Sequence, residues 1–435
     1  MRLLPGIRRT TRRSFLLGVY LATNAIADAA TVVDGPDCAF FKAEYIHGCH
    51  DLNSRLLDGL GRHRILVTHT TTDDIAQSVG AGVRRRVQDA HRIGGIGLVL
   101  VTAMPMVSII GLQYDQLLRE LPPLPLDVVA VPGRSLQGDW LDGYADVLTA
   151  LATAVKPTPE PLDAESVSII GNFMDRNEED QRGNVRELRR LVEGVGLRLE
   201  SLWLGGSDWA TLGRAARSST LVTFPLGAEA GRRLAERTGA QVVDVQTPLG
   251  LARTLAFVRA LGAATGRHRE AERFAEAERS SCVAPLEWVV PHYFLGLRVA
   301  ISAPPDLLGG LWELLTELGM EVVDAVSPSR PRDGCDANAL DGLEVGFDVD
   351  FDQKRWEGDR RPELLIGDTW ATGPAVAALP VVELGFPSYL DHAVYDRPVL
   401  GYRGHTALVQ RILSALATYG GRQRNWLLPE PGPVR

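Results

Sequence analysis

Two of the four cysteines in this 435-residue chain lie close together in one short segment. Residues 34–51 read DGPDCAFFKAEYIHGCHD, which places Cys38 and Cys49 near His47 and His50. Thiolates and imidazoles bind zinc, iron–sulfur clusters are held mainly by thiolates, and a thiolate is also a nucleophile. The segment is therefore open to four interpretations: a metal site, a disulfide, a nucleophile or an accidental grouping.

The spacing of these two cysteines argues against one compact site. No Cys-x-x-Cys pair occurs, which makes a structural zinc site a weak interpretation. If a helix begins at about residue 39, Cys38 and Cys49 are about three turns apart, or about 16 Å at about 1.5 Å per residue. One cluster could then bind both only if the helix breaks, and Gly48 is where it could break. We expect His47 and His50 to be polar loop residues, although either could add an imidazole ligand.

The other two cysteines, Cys282 and Cys335, lie in polar or linker-like stretches, and we expect no functional role for them. Four cysteines in a chain of this length do not make a disulfide framework, so a reducing cytoplasm fits best. No run of 18 apolar residues occurs, and we expect no membrane span.

Residues 10–30, TTRRSFLLGVYLATNAIADAA, also carry the features of a twin-arginine export signal. Arg12 and Arg13 precede an apolar stretch, and AIADAA could be a cleavage site. The alternative is a buried first helix that leads into the strand at ATVVD. We favour the helix, because the strand would otherwise lose the core element before it. The expected location is the cytoplasm, with export as the alternative.

Short apolar runs, small-residue turns and amphipathic stretches alternate along the chain. The clearest case is 296–327, which reads as strand, loop, helix, Gly turn and strand. This alternation predicts an α/β fold with parallel sheets and right-handed crossovers. We predict three Rossmann-like, doubly wound domains, with boundaries at 1–155, 160–265 and 285–435.

In such sheets ligands bind at the carboxyl ends of the strands. The segment that holds Cys38 follows a predicted strand and is therefore at such an end. No Gly-x-Gly-x-x-Gly follows a strand and no P-loop occurs, so the chain lacks a nucleotide-binding motif. The net charge of −8, without a long basic stripe, makes nucleic acid an unexpected partner.

The order of motifs resembles the nitrogenase component 1 superfamily, which includes its cofactor-assembly scaffolds and the dark-operative chlorophyll reductases. The resemblance spans about residues 12–415. VVDGPDCAFFK (32–42) is similar to the family turn whose cysteine binds an interface cluster. VTHTTTDDIAQSVG (67–80) and VLVTAMPMVSIIGLQYD (99–115) are similar to two further family segments. The Gly-Phe-Pro and Gly-Tyr-x-Gly motifs in 379–413 resemble β-type subunits and are the most specific.

The chain departs from the family at its cysteines. The family usually has three cluster cysteines in a subunit, and only Cys38 lies where one is expected. Ser14 stands near the first position and Met104 near the third, and Cys49 has no counterpart. No pair of cofactor ligands can be assigned near the C-terminus. The resemblance thus implies a divergent member with an incomplete set of ligands.

The resemblance implies a β-like oxidoreductase subunit that receives electrons from a separate ATP-dependent iron–sulfur reductase. Its cofactor would be an iron–sulfur cluster of the [4Fe-4S] type, shared across a subunit interface, with Cys38 as the candidate ligand. Cys49, which has no family counterpart, is a second candidate because it lies in the same segment. The partner would be an α-like subunit or a second copy of this chain. The substrate is open. A non-catalytic assembly scaffold or partner-stabilising subunit is the alternative.

We assign expected roles to four further residues. His392 and His405 flank the Gly-Tyr-x-Gly region, which in β-like chains lies near the partner subunit, so an interface role is one interpretation. Asp73 and Asp74 are expected to cap a helix.

Overall fold

The computed structural model describes residues 13–57, 60–71, 80–108, 112–134, 137–335, 340, 343–373 and 379–420. Within them, thirteen strands form three sheets, and all of the strand pairs are parallel. The predicted α/β class with parallel sheets is confirmed. Asp73, Asp74 and Arg12 lie outside the described residues.

The first sheet has the order β2-β1-β3-β4 and the second β6-β5-β7-β8. The third is five-stranded, with the order β11-β10-β9-β12-β13. The strands are β1 Ala29–Asp34, β2 Ile65–Val67, β3 Leu98–Ala103, β4 Asp127–Ala130, β5 Asp163–Ile170, β6 Arg198–Leu202, β7 Ser218–Thr223, β8 Gln241–Asp244, β9 Arg298–Ser302, β10 Glu321–Ser327, β11 Val345–Phe347, β12 Leu364–Gly367 and β13 Val381–Glu383.

Helices connect the strands and cover the sheets. They are α1 Phe15–Asn24, α2 Ala81–Ile93, α3 Pro105–Ser108, α4 Tyr114–Arg119, α5 Trp140–Ala154, α6 Glu179–Gly194, α7 Trp209–Gly213, α8 Ala228–Thr238, α9 Leu251–Ala264, α10 His268–Val283, α11 Pro305–Glu317, α12 Thr369–Thr372 and α13 Gly401–Gly420. A 3₁₀ helix spans Asp37–Tyr45. None of the helices in the described ranges is long and apolar enough to cross a bilayer.

The central strands of the first sheet show why it forms. Every residue of β1 (AATVVD) and of β3 (LVLVTA) is buried. Such continuous apolar runs are typical of parallel strands that are covered on both faces. Helix α1 supplies part of that cover, because all ten of its residues are buried. It packs against α5, whose N-terminus is fixed by a capping box between Asp139 and Asp142.

The hydrophobic cores cross from one sheet to the next. One core joins the first and second sheets and takes in Phe386 from the segment after β13. Another joins the second and third sheets. A buried ion pair links Arg13 to Asp368, at 2.7 Å with both side chains 2 % exposed. The three sheets lie within the three predicted segments of the chain, and the domain boundaries themselves stay a prediction.

Candidate functional site

Cys38 lies at the carboxyl edge of the first sheet. Strand β1 ends at Asp34, Gly35 and Pro36 turn the chain, and the 3₁₀ helix begins at Asp37. The thiol of Cys38 is exposed. A helix was expected here from about residue 39, and the structure shows the tighter 3₁₀ type, beginning two residues earlier.

Cys49 lies beyond the other end of the same helix. At about 2 Å per residue, the seven residues from Cys38 to Tyr45 span about 14 Å. Gly48, with φ of 72°, reverses the chain just before Cys49. Cys49 is exposed and lies near Tyr389, whose pKa is raised to about 12, mainly by burial and to a smaller degree by this thiol. The two thiols are thus at opposite ends of one helical segment.

The residue in place of the third expected cysteine is next to the Cys38 turn. The amide of Met104 donates to the carbonyl of Asp34 at 2.9 Å. A Cβ at Gly35 would lie 2.7 Å from Cγ of Met104, so only glycine permits this approach. A thioether is a poor substitute for a thiolate, because it carries no negative charge.

Ser14 stands in place of the first expected cysteine, directly before α1. Its side chain is only partly covered, but the Oγ atom is buried and has no hydrogen-bond partner within the described part of the chain. Helix α1 in turn contacts the Cys38 helix, since the hydroxyl of Tyr20 donates to the carbonyl of Ala39 at 3.1 Å. Burial, with a smaller contribution from Cys38, raises the pKa of Tyr20, which keeps this donor protonated.

A buried carboxylate network supports the Cys38 turn. Asp34, 5 % exposed, accepts from the hydroxyls of Thr68 at 2.9 Å, Thr70 at 2.8 Å and Tyr114 at 2.9 Å. The hydroxyl of Thr68 also accepts from the amide of Gly35 at 2.9 Å. Sequence reasoning missed this network, and its one visible signal is a Thr-x-Thr pair directly after a strand.

His50 is not the polar loop residue that the sequence suggested. Its side chain is wholly buried, its Nδ1 accepts from the amide of Ser388 at 2.8 Å, and its ring packs on Phe386. Its Nε2 lies 3.8 Å from a carboxylate oxygen of Asp175. Burial acts to raise the pKa of Asp175, but His50 and Arg176 outweigh it and hold that pKa below its ordinary value. His50 therefore joins the segment of Cys49 to the other two sheets.

Glu178 joins the same segments closer to the surface. Its carboxylate is 2 % exposed and accepts from the amides of Leu52 at 3.2 Å and Ala393 at 2.9 Å. It also lies 2.7 Å from Nδ1 of His392. Residues 47–52 and 388–395 are thereby held side by side.

Apolar side chains are exposed on these segments and on the 3₁₀ helix before them. Their exposed fractions run from 59 % to 85 %, and the residues are Phe41, Leu52, Leu390, Val394 and Tyr395. We call the surface formed by residues 37–52 and 389–395 the thiol face. His392 is part of it, but His405 is 1 % exposed inside the protein, so His405 cannot contact a partner.

The thiol face does not hold a complete metal site. Among the residues that the structure describes, no group of three or more His, Cys, Asp and Glu side chains could bind one metal ion. A [4Fe–4S] cluster takes four ligands, normally thiolates. This chain can therefore contribute to such a cluster only as part of a site that another chain completes.

The sequence over residues 14–417 matches the family of nitrogenase component 1 type oxidoreductases. The chain belongs to this family. The vanadium-iron nitrogenase beta chain of Trichormus variabilis is 24% identical over 331 residues, 68% of this chain and 69% of that protein. The iron-molybdenum cofactor biosynthesis protein NifN of Rhodobacter capsulatus is 26% identical, covering 68% and 67%.

A third relative belongs to the light-independent protochlorophyllide reductase of Heliobacterium modesticaldum and is 26% identical over 64% of this chain and 54% of that protein. Among solved structures, nitrogenase Cp1 at pH 6.5 superposes with a TM-score of 0.82. It covers 100% of this chain and 98% of its own, at 18% identity, and so supports the nitrogenase-like fold. These relatives include both reductase chains and an assembly protein, so membership alone does not separate those roles.

Proposed function

We propose that this chain is a β-like subunit of a nitrogenase-like reductase that binds part of an interface iron–sulfur cluster through Cys38. The observation that carries the proposal is the exposed thiol of Cys38 at the carboxyl edge of the first sheet, in a chain of this family. Its turn is held by the hydrogen bond from the Gly35 amide to Thr68. When bound, the cluster supplies one-electron chemistry, with electrons from an ATP-dependent iron–sulfur reductase. The substrate is a small reducible compound that nothing in the chain specifies.

The separation of the two thiols favours a particular partner. In a twofold dimer of this chain, the 3₁₀ helix between Cys38 and Cys49 favours an arrangement in which the two Cys38 thiolates meet and the Cys49 thiolates stay apart. An α-like partner with three cysteines would instead complete a set of four with Cys38 alone. The exposed apolar side chains of the thiol face would then be buried against that partner, which would exclude water from the cluster.

Cys49 is the second proposed ligand and the weaker one. It is exposed on the same face, but at the far end of the 3₁₀ helix and without a family counterpart. The 3₁₀ helix between the two thiols makes Cys49 a weaker ligand for a cluster held by Cys38, and Cys49 could act instead toward a different group at the interface.

Anaerobic purification tests the proposal. The chain is expressed alone and with the product of a neighbouring gene of the same family, and iron and acid-labile sulfide are measured per chain. We expect iron in the complex, its loss in Cys38→Ala, and its retention in Cys49→Ala and in the buried-thiol control Cys335→Ala. Absence of iron from the wild-type complex would overturn the proposal.

A non-catalytic scaffold or partner-stabilising subunit is the second candidate. Ser14 and Met104 at two cysteine positions favour it, because these side chains supply no thiolate. A complex that forms and stabilises the partner, with equal iron in the wild type and Cys38→Ala, would support this role.

The cytoplasm is the proposed location. Helix α1 is part of the core, and its loss by cleavage near residue 29 would expose β1. Mass spectrometry of the mature N-terminus tests this, since a chain that begins near residue 30 would establish export.

A further inference from the structure

We propose that Asp34 is a positioning residue for Cys38. Its buried carboxylate ties the turn that carries the thiol to the segments after β2 and β3. The inference rests on the proposed function of Cys38 as a cluster ligand and names the residue that holds that ligand in place.

One oxygen of Asp34 organises the segment after β2. Oδ1 lies 2.9 Å from the hydroxyl of Thr68 and 2.8 Å from that of Thr70. Thr68 Oγ1 accepts from the amide of Gly35 at 2.9 Å, and the amide of Thr70 donates to the carbonyl of Gly35 at 3.1 Å. Both the amide and the carbonyl of Gly35 are thus hydrogen-bonded to the segment after β2.

The other oxygen reaches the segment after β3. Oδ2 accepts from the hydroxyl of Tyr114 at 2.9 Å, across 80 residues of sequence. Burial and the Asp34 carboxylate raise the pKa of Tyr114, so its hydroxyl stays protonated and donates. The backbone carbonyl of Asp34 accepts from Met104 in the same segment. Asp34 therefore connects the position of the retained cysteine with a position where one was expected.

A buried carboxylate at this position is unfavourable unless its oxygens are well hydrogen-bonded. A buried charge is normally paired with a cation. Within the described residues, however, the hydrogen bonds to the Asp34 side chain come from hydroxyls, and no lysine or arginine forms an ion pair with it. An ionised carboxylate can accept at both oxygens, whereas an asparagine accepts at one and presents an NH₂ group at the other. Asparagine at this position would therefore force the hydroxyls on either the Thr68 side or the Tyr114 side to accept a hydrogen bond instead of donating one, which rearranges the network without removing a side chain.

The variant Asp34→Asn tests the inference in the complex purified without oxygen. We expect at least a fivefold loss of iron per chain, with a changed electron paramagnetic resonance spectrum and a shifted reduction potential in the remaining cluster. Asp244→Asn is the control for the substitution itself, because Asp244 ends β8 in the second sheet and accepts from the hydroxyl of Thr223, but is exposed. This control should keep the iron content and the spectrum of the wild type.

Hydrogen exchange on the isolated chain gives a readout that needs no cluster. The amides of Gly35 and Thr70 should exchange at least tenfold faster in Asp34→Asn, and at the wild-type rate in Asp244→Asn. If Asp34→Asn does not fold, Tyr114→Phe removes one donor and should give a smaller change of the same kind in both readouts.

The outcomes separate the two proposals. A wild-type complex with iron and an Asp34→Asn complex with the same iron, spectrum and potential overturn the positioning role, even if exchange becomes faster. A wild-type complex without iron overturns the proposed function itself. Loss of iron with unchanged circular dichroism supports Asp34 as the positioning residue.

Discussion

Asp34 and Glu383 are both buried carboxylates at the carboxyl end of a strand, yet they are held in different ways. The carboxylate of Asp34 accepts hydrogen bonds from hydroxyls in two other segments of the chain. Glu383 accepts hydrogen bonds of 2.9 Å from the amides of Leu390 and Asp391, which lie in the loop directly after its own strand. The hydroxyls of Thr369 and Ser388 add 2.7 and 2.8 Å bonds.

The difference indicates what each carboxylate does. Glu383 mainly orders the loop that follows its own strand, residues 388–391, most of which lies on the thiol face, and takes one further hydroxyl from Thr369 after β12. Asp34 instead connects separate loops around the turn of Cys38. The loop of Glu383 is also anchored by α13, since Arg411 donates to the backbone carbonyl of Glu383 and lies 2.5 Å from Asp391. The third-sheet half of the thiol face should therefore depend mainly on amide donors from its own loop and on α13, and the first-sheet half on hydroxyl donors from other segments.

Phe386→Ala should have the largest effect on stability. Phe386 is 1 % exposed and packs on His50, Trp140 and Trp370, with ring centroids at 4.7, 5.6 and 6.1 Å. Its truncation leaves a cavity between the sheets, and we expect a loss of about 3–5 kcal/mol in the free energy of unfolding. Urea denaturation measures it. The exposed Phe41→Ala is the control. An equal loss of stability there would mean that the effect does not come from the buried contacts of Phe386.

Acid should lower the stability of the fold through His405, which lies in α13. Burial lowers the pKa of His405 to about 4, from an ordinary value of 6.5. Between these values the unfolded chain binds the proton and the folded chain does not, so stability falls as the pH drops from about 6.5 to about 4. The loss from this group is about 3 kcal/mol in total. Below about pH 4 it grows no further.

Unfolding curves across this pH range check the acid effect. His405→Leu should remove that part of the pH dependence, whereas the exposed His91→Gln should leave it unchanged. An identical pH profile in His405→Leu and the wild type would mean that other groups cause the acid sensitivity.

Glu383→Gln should cost about 1–3 kcal/mol, because donors that now share a buried carboxylate would lose acceptor capacity. Hydrogen exchange should show faster exchange of the amides of Leu390 and Asp391, with those of Gly35 and Thr70 unchanged. Faster exchange at Gly35 would instead show that the two halves of the thiol face are coupled.

Tyr114→Phe should have the smallest effect, about 0.5–1.5 kcal/mol, because it removes a single donor to Asp34 and keeps the ring. Thermal unfolding gives the stability change. No change in either stability or the exchange of Gly35 would mean that Oδ2 of Asp34 needs no donor from the protein.

Local patterns were sufficient to predict the α/β alternation and several of its elements. The segment 296–327 was predicted as strand, loop, helix and strand, and the structure has β9, α11 and β10 there. The predicted strand before Cys38 is β1, and the predicted turn follows it. These features depend on apolar runs and on Gly and Pro positions, which act within a few residues. The 3₁₀ type of the next helix was not predicted.

The contacts that build the candidate site have a different origin. The amide of Ser388 reaches His50 across 338 residues, His392 reaches Glu178 across 214, and Tyr114 reaches Asp34 across 80. No local pattern marks one of these residues as the partner of another. The sequence by itself determined the α/β alternation, the family motifs and the strand and turn before Cys38, because local apolar runs and Gly and Pro positions decide them. Only the tertiary structure decided which polar groups meet, because a buried polar group takes whatever partner the packed sheets bring to it.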